Sequence, residues 1–352
     1  MNSIDALLAT INHSPDAYPQ HLDLAGKRML IVGLSPWIYR SASFLDDRIL
    51  APGIARSWVD IKRIEEATRP VAAPRATHLI LHTGHVGSTL LSRLLDDLGG
   101  TLGLREPLPL RTLAEAADTL KHDDALVSPE EFGSLADLCV RLWSRGYSDT
   151  QQCIVKSTSS ACRVAPRLLE RRAGMRAAYL NVRAERYLAT LLAGENSIAD
   201  LRGHGQERYR RLRAGMVGPL APLHTLSTGE LAALGWMAES LVRHKVAADF
   251  PAQILLLDFD ALLAELPATL SLVARHFGIE CETRQLEATA VSATVHQYSK
   301  APEYNYGPAL RRDILADSRQ RNAAEIRAGM RWIEALARAH PQLQTAVATS
   351  GL

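Results

Sequence analysis

Two glycines, Gly84 and Gly87, stand directly ahead of Ser88 and Thr89 in the stretch Thr83-Gly84-His85-Val86-Gly87-Ser88-Thr89. Glycines at this spacing let a backbone come close to an anion. Hydroxyls at a helix start add donors to the orphan N–H groups there. The chemistry this favours is binding of a phosphate-like group. Other side chains could act on a group so held. Glu106, followed by Pro107, can serve as a general base. Lys156 ends the apolar run Gln152-Cys153-Ile154-Val155 and precedes Ser157 and Thr158, offering a cation with hydroxyls beside it. Arg183 ends Tyr179-Leu180-Asn181-Val182 and offers a planar fork of donors suited to phosphate. Thr190 follows it by seven residues.

The same residues admit plainer roles. The loop could be a tight turn, Glu106 a partner for Arg105 or Arg111, Lys156 a solvated strand end, and Arg183 a partner for Glu185. His78, His82 and His85 have no carboxylate cluster with them, so no metal site is expected. Arg202 to Arg213 is a basic run that either closes on a ligand or is a solvated helix face. Tyr298, Lys300, Tyr304 and Tyr306 share a loop that could line an acceptor pocket or simply pack on the surface.

These residues need elements to hold them. His78-Leu79-Ile80-Leu81-His82 reads as a buried strand, and Leu91, Leu94, Leu95 and Leu98 mark one face of the helix that follows the glycine loop. Gly99-Gly100 ends that helix. Further strands are expected at 28–34, 101–104, 153–156, 177–182 and 254–258. Helices are expected at 130–145, 161–172, 186–193 and 230–249, with a mainly helical tail from Pro308 to Ala339. Trp143, Trp236 and Trp332 fall in helical patterns and read as core or groove residues. Strands alternating with helices predict an α/β fold, a parallel sheet flanked by helices.

Arg69 to Pro74, with two prolines, reads as a linker. It divides a lead-in segment, 1–74, expected to pack on the main domain, from an α/β domain, 75–352. The chain of 352 residues has 40 Lys and Arg against 38 Asp and Glu, a net charge of +2. That balance argues against nucleic-acid binding through bulk charge, so any anion site must be local. The four cysteines form no CxxC pair and fit a reducing compartment. The start of the chain lacks the pattern of a secretory signal, and no apolar run is long enough to insert in a membrane, so a cytoplasmic location is expected.

The run Gly84 to Leu91, with the Glu106-Pro107 pair, resembles the 5′-phosphosulfate loop and "EP" motif of the bacterial sulfotransferase family. The resemblance covers roughly residues 76 to 280. It implies a P-loop-type fold that uses 3′-phosphoadenosine 5′-phosphosulfate (PAPS), releases PAP and needs no metal. It implies that the loop from Gly84 to Thr89 cradles the 5′-phosphate and sulfonate, with Glu106 as base. His85 or Lys156 would steady the leaving oxygen, and Arg183 and Thr190 would hold the 3′-phosphate. The acceptor would be a hydroxyl or amine on a small molecule or peptide. The chain departs from the family at His85, where Lys or Arg is usual, and at Ala184-Glu185, where Asp-Pro is usual. Two alternatives therefore stand beside it: a phosphotransferase using ATP with Asp258 on Mg²⁺, and a non-catalytic nucleotide-binding member of the fold.

Overall fold

The computed structural model describes residues 3–68, 74–301 and 303–351, so most of the expected linker, 69–73, lies outside the described residues. Ahead of it, where only Arg28 to Leu34 reads as a strand, the chain forms a three-stranded sheet. The strands β1 (Ala17–Asp23), β2 (Arg28–Gly33) and β3 (Arg56–Asp60) pair antiparallel in the order β1-β2-β3. β1 hides its pattern because it carries Pro19, with a register shift between Pro19 and His21. β3 hides because only Val59 in it is buried.

Beyond the linker, β4 (Ala76–His82), β5 (Thr101–Arg105), β6 (Gln152–Lys156), β7 (Ala177–Asn181) and β8 (Ile254–Asp258) form one parallel sheet ordered β5-β6-β4-β7-β8. The expected α/β architecture is present. β4, β6 and β7 are apolar runs buried almost throughout, as strands covered on both faces must be. Alternate residues serve opposite faces. Leu79, Leu81, Val155 and Tyr179 share a core with Tyr18, Met29 and Ile31 of the small sheet and with Leu113 and Trp143 of flanking helices. Ile80, Ile154 and Leu180 face a second core, where Leu91, Leu94, Trp236 and Phe277 pack.

Buried guanidinium groups tie the small sheet's segment to the body. Arg145 donates to the carbonyls of Ile11, Ser14 and Ala17 at 2.7–2.9 Å. Arg105 pairs with Asp96 at 2.5 Å and donates to the carbonyls of Ala42 and Tyr39. Residues 161–172, expected as one helix, divide into a 3-10 turn (Ser160–Val164) and a short helix (Ala165–Glu170). The tail divides at Asn322 into helices Pro308–Arg321 and Ala323–Ala339, followed by Pro341–Ser350. Among the described residues no helix is long and apolar enough to cross a membrane.

Candidate functional site

From β4 the chain moves to β5 and β6 on one side, then to β7 and β8 on the other. The order therefore reverses at β4, and a crevice is expected beyond its C-terminal end. The glycine loop leaves β4 at that point and enters the helix Ser88–Leu98.

The loop is bent into left-handed conformations at Gly84 (φ 97°), His85 (φ 54°) and Gly87 (φ 71°). At Gly87 nothing but glycine fits, since a Cβ would stand 2.0 Å from the Phe259 ring. Gly87 is the N-cap and no side chain caps the helix. Among the described residues the N–H groups of His85 to Thr89 have no acceptor. The Thr89 hydroxyl is buried without a partner. A helix start with unspent donors and a buried orphan hydroxyl suits an anion.

Gly84 differs from its neighbours, because its N–H already donates to His82 Nδ1 at 3.0 Å. The other ring nitrogen, Nε2, donates to the Ser157 carbonyl at 2.9 Å. His82 thus links the loop to the end of β6. Burial, reinforced by the Lys156 charge, holds its pKa well below 6.5, which keeps the ring neutral and the tautomer fixed. Sequence reasoning treated His82 as an ordinary strand histidine. No pattern in the chain marks its partner Ser157, 75 residues away.

Glu106 and Lys156 form an ion pair. Their strands lie side by side, and the Glu106 N–H donates to the Lys156 carbonyl at 2.7 Å. Glu106 has φ 59°, a left-handed conformation that costs energy outside glycine. Lys156 is 1% exposed and sits 5.7 Å from the centroid of the Phe44 ring, a residue of the N-terminal segment. Arg105 is engaged with Asp96, so Glu106 pairs with the Lys across the sheet and not with its chain neighbour.

A cavity of about 150 Å³ opens over the loop. His85, Val86, Gly87, Ser88, Thr89, Glu106, Lys156 and Thr190 line it together. So do Phe259, Lys300 and Arg311, which sequence reasoning did not assign to the loop. A second compartment, about 280 Å³, shares His82, His85, Glu106 and Lys300 with the first. Gly84 lines this one, as do Arg111, Arg163, Asp200, Glu207 and Arg208. Arg208 and Asp200 pair at 2.9 Å, and Arg211 pairs with the buried Glu239 at 2.6 Å. Two arginines of the basic run are therefore paired with carboxylates.

The structure separates two candidate residues. Thr190 reaches the cavity, its hydroxyl donating to the Arg186 carbonyl at 2.7 Å. Arg183 is exposed, packs against Gly351 and lines neither compartment. His85 is a neutral ring, because burial and the nearby Lys300 charge push its pKa down to about 3. Asp258 caps the helix Phe259–Ala264 through the N–H groups of Asp260 and Ala261, both at 2.9 Å, and lines neither compartment. His78 stacks on Phe277 at 5.1 Å between centroids, far from a metal-binding arrangement with His82 and His85. Among the described residues no three His, Cys, Asp or Glu side chains cluster as metal ligands.

No family model matches the chain, and no curated protein matches it. Solved structures give a distant, fold-level likeness. The sulfotransferase domain from the curacin biosynthetic pathway is 15% identical, with 71% of this chain and 92% of that one covered and a TM-score of 0.37. Mouse sulfotransferase SULT7A1, complexed with PAP, is 11% identical over 73% and 88%, with a TM-score of 0.33. Retinol dehydratase, in complex with androsterone and inactive cofactor PAP, is 10% identical over 72% and 80%, with a TM-score of 0.33.

Proposed function

We propose that the chain transfers a sulfuryl group from PAPS to a hydroxyl or amine acceptor, with the nucleotide's phosphosulfate on the loop from His85 to Thr89. One observation carries the reading. The residues that carry the unspent N–H groups and the orphan Thr89 hydroxyl line the same cavity as the Glu106–Lys156 pair. The donor set fits an oxyanion, since the N–H groups and the cations Lys156 and Lys300 all converge there.

PAPS would supply the sulfuryl group, its S–O bond to phosphate breaking as the acceptor's bond to sulfur forms. Glu106 accepts the acceptor's proton. As the carboxylate is neutralised, the Lys156 charge is released from its partner and becomes free to steady the electron pair left on the phosphate oxygen. His85, neutral, contributes a hydrogen bond and no charge. Phe259 crowds Gly87 and fixes the loop's height. Arg183 lies outside this arrangement, whereas Arg311, held 4.8 Å over Phe259 and 3.0 Å from Asp260, lines the loop cavity. Separation of the two compartments by His85, Glu106 and Lys300 suits a donor on one side and an acceptor on the other.

The phosphotransferase reading needs Asp258 for Mg²⁺, and that side chain is spent as a helix cap. Calorimetric titration distinguishes the two. Micromolar PAP binding in the presence of a chelator is expected, with ATP plus Mg²⁺ binding more weakly. ATP binding only with Mg²⁺, and none of PAP, would overturn the proposal.

A further inference from the structure

Lys300 lines both compartments, on a strap that crosses the loop from the far end of the chain. The strap is held firmly. Gln297 bridges to Asn305, the Tyr298 and Tyr306 rings lie 5.2 Å apart, and Arg93 from the loop helix donates to the Ser299 carbonyl at 3.1 Å. Among the described residues Lys300 has no ion pair and no hydrogen bond; burial and the Lys156 charge lower its pKa, while Glu106 and Asp200 oppose them in favour of the charge. Each of those carboxylates already has a cation of its own, Lys156 and Arg208. A cation brought into a cleft without a partner is a cost to the fold. Among the described residues no ion pair or hydrogen bond of its own repays it, whereas an oxyanion on the loop would.

We propose that Lys300 is a further anion-binding residue of this site, carried by the strap and placed over the loop beside His85, where it takes an oxygen of a bound sulfonate or phosphate. It supplies from the far end of the chain the charge that the loop itself does not carry. The proposal rests on the PAPS reading only for the identity of the anion. The Lys300 charge also adds to burial, the larger cause, in keeping His85 neutral.

The test uses the full chain and two probes, inorganic sulfate and PAP, with His85 ring signals followed by NMR in wild type, Lys300→Arg and Lys300→Met. Sulfate is expected to perturb His85 in wild type and Lys300→Arg, and to bind roughly tenfold more weakly in Lys300→Met, the loss typical of one charge-assisted hydrogen bond. Lys300→Met should also raise the His85 pKa. Its melting temperature should not fall, because a structural lysine would be missed and an unpaired one would not. Equal sulfate affinity in Lys300→Met, or no effect of sulfate on His85 in wild type, would overturn the proposal. Lys300-dependent sulfate binding together with failure of PAP to bind would sustain it and sink the PAPS reading instead.

Discussion

Glu106 and Lys156 show how much depends on single side chains. Lys156 is almost completely enclosed, and among the described residues the carboxylate is its one charge partner. Removing one member of such a pair strands the other, at about 3–5 kcal/mol. Glu106→Ala is therefore expected to lower the unfolding free energy measured in urea by that order, and Glu106→Gln by less, because the amide oxygen still accepts from Lys156. Equal stability of all three proteins would show that the pair does not exist. The carboxylate and the cation were legible as candidates from residue type and the strand ends they follow. Their pairing was not, because it depends on β5 and β6 being neighbours. Arg183 shows the opposite limit. Its position after a strand was plain, but its direction is decided by Gly351 at the far end of the chain.

At the scale of elements, the strand, loop and helix from Ala76 to Leu98 form one device. The apolar run, the paired glycines and the leucine periodicity all agree there, which is why this part was readable. Phe259 was not readable as a site residue, because the sequence shows only a strand followed by a short helix. Its ring nevertheless sets the space above Gly87. Gly87→Ala combines a left-handed backbone with a clash, so a loss of about 2–5 kcal/mol is expected. Thermal denaturation measures it. If Gly87→Ala melts like wild type, the loop does not have this conformation. The antiparallel strands β1 and β3 escaped reading for local reasons, the bulge after Pro19 and the exposed face around Val59.

Over the whole molecule, Arg93 and the two buried arginines bring distant parts of the chain to the site. Arg93 donates to Ser41 and Ser43 of the N-terminal segment at 3.0 Å as well as to the strap. The segment before residue 74 thereby places Phe44 beside Lys156, a role that its sequence does not reveal. A ligand bound in such a site stabilises the whole fold, by about 2.7 kcal/mol at a hundred times its Kd. The most direct test of the central claim is the PAP-induced shift in melting temperature, with a chelator present, for wild type and Thr89→Val. The account predicts an upward shift in wild type. Thr89→Val, which removes an orphan hydroxyl, should melt no lower than wild type without ligand and should lose most of the shift, its affinity falling about tenfold or more. A wild-type melting temperature unmoved by PAP, or a full shift in Thr89→Val, would contradict it.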